Sequence, residues 1–226
     1  MITCMPEIVS RAVCAWTTHL KSRIELADTH ANRVPAGEYD SALHLARACG
    51  RKERWHTFMP DIEAGYAPWL FDNGSLTRRI QQRCNQFGVH NLCDCLKIAA
   101  HDETTLLALP SRQKIYTREV FLYADQRPVV FAHSVVAPQH LRGAWQALQK
   151  LGNRPLAALL FAHPLVQRAP LHYQTLKGSH PLFRRAADGL AVRPFKLWAR
   201  RSLFTLHGAP LLVTEVFLPD ILKLHK

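Results

Sequence analysis

No stretch of this 226-residue chain approaches the ~18 consecutive apolar residues that a membrane span requires. The first residues do not make a secretory leader. Glu7 and Arg11 interrupt their apolar stretch, and no basic residue precedes it. The expectation is a cytoplasmic protein without stable membrane insertion. No cysteine follows residue 95, and the six present (Cys4, Cys14, Cys49, Cys84, Cys93, Cys95) have no secretory context, so a disulfide framework is not expected. Cys93-Asp94-Cys95 has no second pair at zinc spacing, and on a strand the two thiols would share a core face. Thirteen histidines form no H-x-x-x-H or H-E-x-x-H pattern; His133 falls within a strand and the others read as loop or surface positions. G-x-x-x-x-G-K-[ST], G-x-G-x-x-G and G-x-S-x-G are all missing, which removes support for phosphate loops and nucleophile elbows.

Acidic residues are also scarce. Seventeen Asp and Glu stand against 29 Lys and Arg, a net charge of +12. Residues 1–50 are balanced, with five of each sign, so the excess belongs to residues 51–226. A basic domain attracts anions. No basic run is interleaved with aromatics and no recognition-helix signature occurs, so nucleic acid is not an expected partner. Arg184-Arg185 and Arg200-Arg201 read as short solvated pairs.

Two segments carry a charge where a strand should be apolar. In Pro210-Leu-Leu-Val-Thr-Glu-Val-Phe-Leu-Pro219, strand alternation puts Glu215 on one face with Leu211, Val213 and Phe217. In Tyr116-Thr-Arg-Glu-Val-Phe-Leu-Tyr123, Arg118 shares a face with Val120 and Leu122. Buried charges are costly unless paired or turned toward a ligand. Either Arg118 and Glu215 pair to tie two strands together, or they face a closed site in which Arg118 takes a carboxylate.

Helical periodicity marks residues 7–27 and a short helix over 40–50, ahead of a boundary near 50–58. Residues 1–50 read as an N-terminal helical extension, loosely attached or, given Met59, an artefact of start-codon choice; 51–226 read as the main domain. Within it, Asn73 or Ser75 caps a helix running to about Phe87, and 91–100 form a strand. Residues 115–124 and 128–136 form a hairpin, and Pro138 opens a helix through Lys150 that Gly152 stops. Residues 155–162 are a short helix and 171–177 a strand. A second hairpin, 196–206 with 210–218, turns at His207-Gly208. Antiparallel strands with helices between hairpins give an α+β fold.

The tail from Leu197 to Pro219 resembles the C-terminal signature of the chorismate lyase family. Three further blocks agree in order: Trp69-Leu70 to Gly74-Ser-Leu-Thr-Arg-Arg79, Arg118-Glu119, and Ala147-Leu-Gln-Lys-Leu-Gly-Asn-Arg-Pro-Leu156. The similarity covers roughly residues 66–219. It implies a single antiparallel β-sheet flanked by helices, with the ligand closed beneath helix-turn flaps. It implies removal of pyruvate from chorismate to give 4-hydroxybenzoate, at the entry to ubiquinone synthesis, by a monomer with no metal or other cofactor. The family's carboxylate-binding arginine falls on Arg118, its buried glutamate on Glu215 and its flap contact after Arg-Pro on Leu156. Leu76 stands where a methionine contacts the ligand in the enterobacterial member. Arg118 and Glu215 are the implied catalytic pair; Leu76 and Leu156 complete the ligand contacts. Glu215 could donate a proton to an oxygen or, ionised, orient water or act as a base, and the sequence leaves both open. The alternative is a non-catalytic sensor of aromatic carboxylates on the same fold.

Overall fold

The computed structural model describes residues 55–59 and 61–224. The expected helices at 7–27 and 40–50 lie outside the described residues. One antiparallel sheet dominates, built from β1 (Phe87–Ile98), β2 (Lys114–Ala124), β3 (Arg127–Val136), β4 (Gln167–Arg168), β5 (His172–Lys177), β6 (Lys196–Leu206) and β7 (Ala209–Phe217). Its order is β1-β2-β3-β7-β6-β4, and β5 pairs with β6 further along the edge that β4 occupies. Both expected hairpins form. Asp125 and Gln126 turn the first with positive φ of 47° and 65°. His207 and Gly208 turn the second at 50° and 75°, the region that a two-residue hairpin turn needs.

Helices lie on both faces. On the front face are α1 (Ala67–Leu70), α2 (Leu76–Gln81) and α4 (Ala157–Ala162); on the back are α3 (His101–Leu106) and α5 (Pro181–Ala187). Ser75 caps α2 by accepting from the Arg78 N–H at 3.3 Å. The helix stops at Gln81 rather than near Phe87, because Phe87 is already paired with Ala124 at the start of β1. The segment 138–150 is not one helix. Two 3-10 turns, Pro138–Arg142 and Gln146–Lys150, flank Gly143. Leu141, Trp145 and Leu148 still reach one apolar cluster, and the Trp145 indole donates to the Ala209 carbonyl at 3.0 Å. Burial and an indole–carbonyl bond hold this segment, so a continuous helix is not required.

The front face carries two apolar clusters. One gathers Leu70, Leu76, Ile80, Val120, Leu122 and Phe217; the other gathers Trp145, Leu156, Leu160, Phe204, Leu211 and Val213. The back clusters centre on Phe131, Phe183 and Val216, and on Ile115, Val135 and Leu212. Central strands are therefore buried on both sides, and β2 is buried almost throughout, its Thr117, Arg118 and Glu119 included. Cys93 and Cys95 share a face of β1 as expected. They are joined in a disulfide rather than packing as free thiols. Among the described residues no helix is long and apolar enough to cross a membrane.

Candidate active site

Where the two front-face clusters meet, the side chains leave a cavity. Its floor is the sheet, and its roof is α2 on one side and α4 on the other. Leu76, the first residue of α2, and Leu156, which precedes α4, are both buried and both line it. Arg118 and Glu215 line it too. All four residues expected at the site are thus brought together.

Register fixes how the charges sit. Arg118 is opposite Ser134, Ser134 opposite Val213, and Val213 opposite Ser202. The adjacent row runs Val120, Ala132, Glu215, Arg200. Arg118 and Glu215 are therefore two strands and two residues apart, about 12 Å between backbones at ordinary strand spacing. They do not pair with one another. Arg118 is 2% exposed, and its Nη2 donates to the carbonyls of Gly152 (2.8 Å) and Arg154 (2.9 Å). Its Nε lies 3.7 Å from Asp94 Oδ1 and makes no hydrogen bond. Burial lowers its pKa, opposed by Asp94 and Tyr116. Glu215 is held instead by Arg200, whose Nε reaches Oε2 at 2.6 Å. The reading of Arg118 and Glu215 as a strand-tying pair is thus replaced by two separate anchors.

Arg200 was expected on a solvated surface and is instead 1% exposed on the cavity wall. Its Nη1 donates to the carbonyls of Trp69 (2.9 Å), Leu70 (3.3 Å) and Asp72 (2.6 Å). One guanidinium thereby ties the end of α1 to the sheet and aims Glu215. A signal for it existed, since Trp198, Arg200 and Phe204 alternate on β6 just as the residues around Glu215 do. Arg168 is the other omission. It lies on the two-residue β4, lines the cavity and donates from Nη1 to the Asn73 carbonyl at 2.8 Å. No periodicity marks so short a strand.

The back face carries a second charged row directly beneath the first. Glu119, His133 and Arg201 alternate with Arg118, Ser134 and Arg200 along their strands, so Arg201 is also buried rather than solvated. His133 Nε2 meets Glu103 of α3 at 2.8 Å, and Nδ1 meets Glu119 at 3.1 Å. Burial disfavours charge on His133, but the two carboxylates outweigh it and push its pKa up to about 9. Glu119 also meets Lys97 at 2.9 Å and pairs with Arg185 of α5. Desolvation opposes its charge, yet His133 and Lys97 bring its pKa down to about 2. Asp102 accepts from Arg201 at 2.5 Å. Histidines on strands are not confined to His133: His90 and His172 lie on β1 and β5. Among the described residues no group of three or more His, Cys, Asp or Glu is arranged to hold a metal ion.

Comparison with known proteins gives a consistent picture. The family model described as chorismate lyase matches residues 57–225. A probable chorismate pyruvate-lyase of Nitrosospira multiformis is 50% identical over 171 residues, covering 75% of this chain and 95% of that protein. One from Nitrosomonas europaea is 48% identical over 170 residues, covering 75% and 96%. Among solved structures, the ligand-binding domain of a putative GntR-family transcriptional regulator from Bordetella bronchiseptica overlaps with a TM-score of 0.45. It is 17% identical and covers 75% of this chain and 94% of that one, a likeness too slight to bear on function. With a family match over three quarters of its length and close relatives covered almost end to end, this chain belongs to the chorismate lyase family.

Proposed function

We propose that this protein is a chorismate pyruvate-lyase that forms 4-hydroxybenzoate and pyruvate, at the entry to ubiquinone synthesis. One observation carries the reading beside family membership. Three arginines (Arg118, Arg168, Arg200) and one glutamate (Glu215) are the charged groups lining the cavity, two positive charges in excess. Chorismate is a dianion, with a carboxylate on the ring and another on the enolpyruvyl ether.

Conversion breaks the ring C–O bond of the ether, removes the hydrogen from the neighbouring hydroxyl-bearing carbon and closes an aromatic ring. Aromatisation drives the step, so it asks for no redox partner. The hydrogen leaves either to a base or to the vinyl carbon of the side chain in an internal retro-ene step. In both routes the protein must hold one conformer and stabilise charge on the departing oxygen. Arg118 suits the ring carboxylate because its Nη2 is fixed on Gly152 and Arg154, which pre-orients the planar fork. Glu215 is fixed through Oε2 by Arg200; its other oxygen makes no hydrogen bond among the described residues and is available to the ligand. Leu76 and Leu156 close the apolar roof over the ring.

The test is direct. Purified protein converts chorismate to equimolar 4-hydroxybenzoate and pyruvate, with EDTA present. Neither product at micromolar enzyme would overturn the reading.

A further inference from the structure

The ring carboxylate accounts for one of the two excess positive charges. Arg200 has only Nη2 left to offer a ligand, since Nε is bound to Glu215 and Nη1 to three carbonyls, so its Nε–Nη2 edge is already taken up on one side. Arg168 differs. Its guanidinium lies over the Phe204 ring at 5.3 Å and only its Nη1 is hydrogen-bonded, to Asn73; its Nε is buried without a hydrogen bond, and Nη2 makes none among the described residues. The Nε–Nη2 edge is the one that grips a carboxylate through two parallel N–H bonds. A buried N–H left unpaired is costly, so an acceptor is called for there.

Position agrees with this. Arg168 lies on β4 and Arg118 on β2, at opposite sides of the sheet order with β3, β7 and β6 between them. Both line one cavity, so the two guanidiniums approach a ligand from opposite ends. Burial lowers the pKa of Arg168 and Arg200 adds to this, while Glu215 opposes it, so Glu215 and Arg200 are both its neighbours. In chorismate the enolpyruvyl ether is attached beside the hydroxyl-bearing carbon and away from the ring carboxylate. A ring whose carboxylate meets Arg118 therefore directs its ether toward Glu215 and Arg168.

We propose that Arg168 is the specificity residue for the enolpyruvyl carboxylate, and so separates substrate from product. This rests on the function proposed above. Because Nη1 of the same guanidinium holds the Asn73 carbonyl in the loop entering α2, a carboxylate on Arg168 sits against the roof. After the C–O bond breaks, pyruvate carries that carboxylate away, and 4-hydroxybenzoate keeps only the Arg118 anchor.

The test uses the full chain, Arg168→Gln, and two probes. One is 4-hydroxybenzoate; the other is 3-(carboxymethoxy)-4-hydroxybenzoate, whose second carboxylate sits at the ether position. In Arg168→Gln, calorimetric affinity for the second probe should fall, and KM for chorismate rise, by about 30-fold or more. Affinity for 4-hydroxybenzoate should change by less than about threefold. Arg168→Lys, which keeps the charge, should recover part of the loss. Equal losses for both probes in both variants would make Arg168 a brace for the roof and overturn the proposal. Unchanged affinity for the second probe would place that carboxylate elsewhere and overturn it too. A wild-type protein that binds 4-hydroxybenzoate and turns over chorismate keeps the underlying function intact in either case; one that does neither removes both.

Discussion

Arg200 holds Glu215 at 2.6 Å while donating to the carbonyls of Trp69, Leu70 and Asp72, so one guanidinium both aims the carboxylate and pins the entrance to the roof. Removing it leaves a partly buried carboxylate unpaired and three carbonyls without this donor. Arg200→Met should destabilise the fold by about 3–5 kcal/mol, as for other buried pairs cut on one side. Urea unfolding measures this. A loss below about 1 kcal/mol would mean the pair is no more than an exposed one.

Arg118 is the proposed ring-carboxylate anchor. Arg118→Ala should cost roughly 2–5 kcal/mol in affinity for 4-hydroxybenzoate. It also strands the Gly152 and Arg154 carbonyls, so affinity is compared only in a variant shown folded by circular dichroism. Near-normal binding would reassign Arg118 to structure.

Glu215→Gln keeps the shape and removes the ionisable group. If Glu215 moves a proton, turnover should fall by roughly 10²–10⁴ while product affinity changes much less. If it only positions the ligand through a hydrogen bond, both should fall together, by about tenfold or less. Turnover and calorimetry on one variant separate the roles. No change in either would remove Glu215 from the site.

His133 gives the back face a pH dependence. Facing it are Glu103 of α3 and Glu119 of β2, and Glu119 is shared with Lys97 and Arg185. The pKa of His133 is raised from 6.5 to about 9, so its stabilisation is complete below the ordinary value and is lost as pH rises through about 9. Wild type should exceed His133→Gln in Tm most near neutral pH, and the gap should narrow above pH about 9. A constant gap across that range would show that protonation of His133 does not contribute. For Glu119, lowered from 4.5 to about 2, the stabilisation is present above the ordinary value and fades as pH falls through about 2.

The boundary proposed near residue 50 can be placed more closely. Trp55 is buried in a back-face cluster, 4.3 Å from the Arg201 guanidinium, and His56 exchanges backbone bonds with Tyr173 at 2.9 and 2.8 Å. A chain beginning at Arg51 should therefore fold and keep most of its turnover. One beginning at Phe58 should lose about 3–5 kcal/mol, the usual cost of deleting a buried tryptophan. An insoluble or inactive chain from Arg51 would place the first fifty residues inside the domain.

Strand parity is a local property with a period of two, and it was enough to pick Arg118 and Glu215 from the sequence. The hairpins were legible for the same reason, because a turn at His207-Gly208 or Asp125-Gln126 acts over four residues. Leu76 and Leu156 came from resemblance, since an apolar residue at a helix start looks like any other. The partners of the charges could not be read this way. Which strand lies beside β7, and in what register, is set by contacts far apart in the chain, and these put Arg200 rather than Arg118 against Glu215. The same holds for Arg168 on a two-residue strand and for the row of Glu119, His133 and Arg201. The sequence determined which side chains share a face; only the packed sheet decided which charges meet across it, because pairing depends on register between distant segments, which no local period encodes.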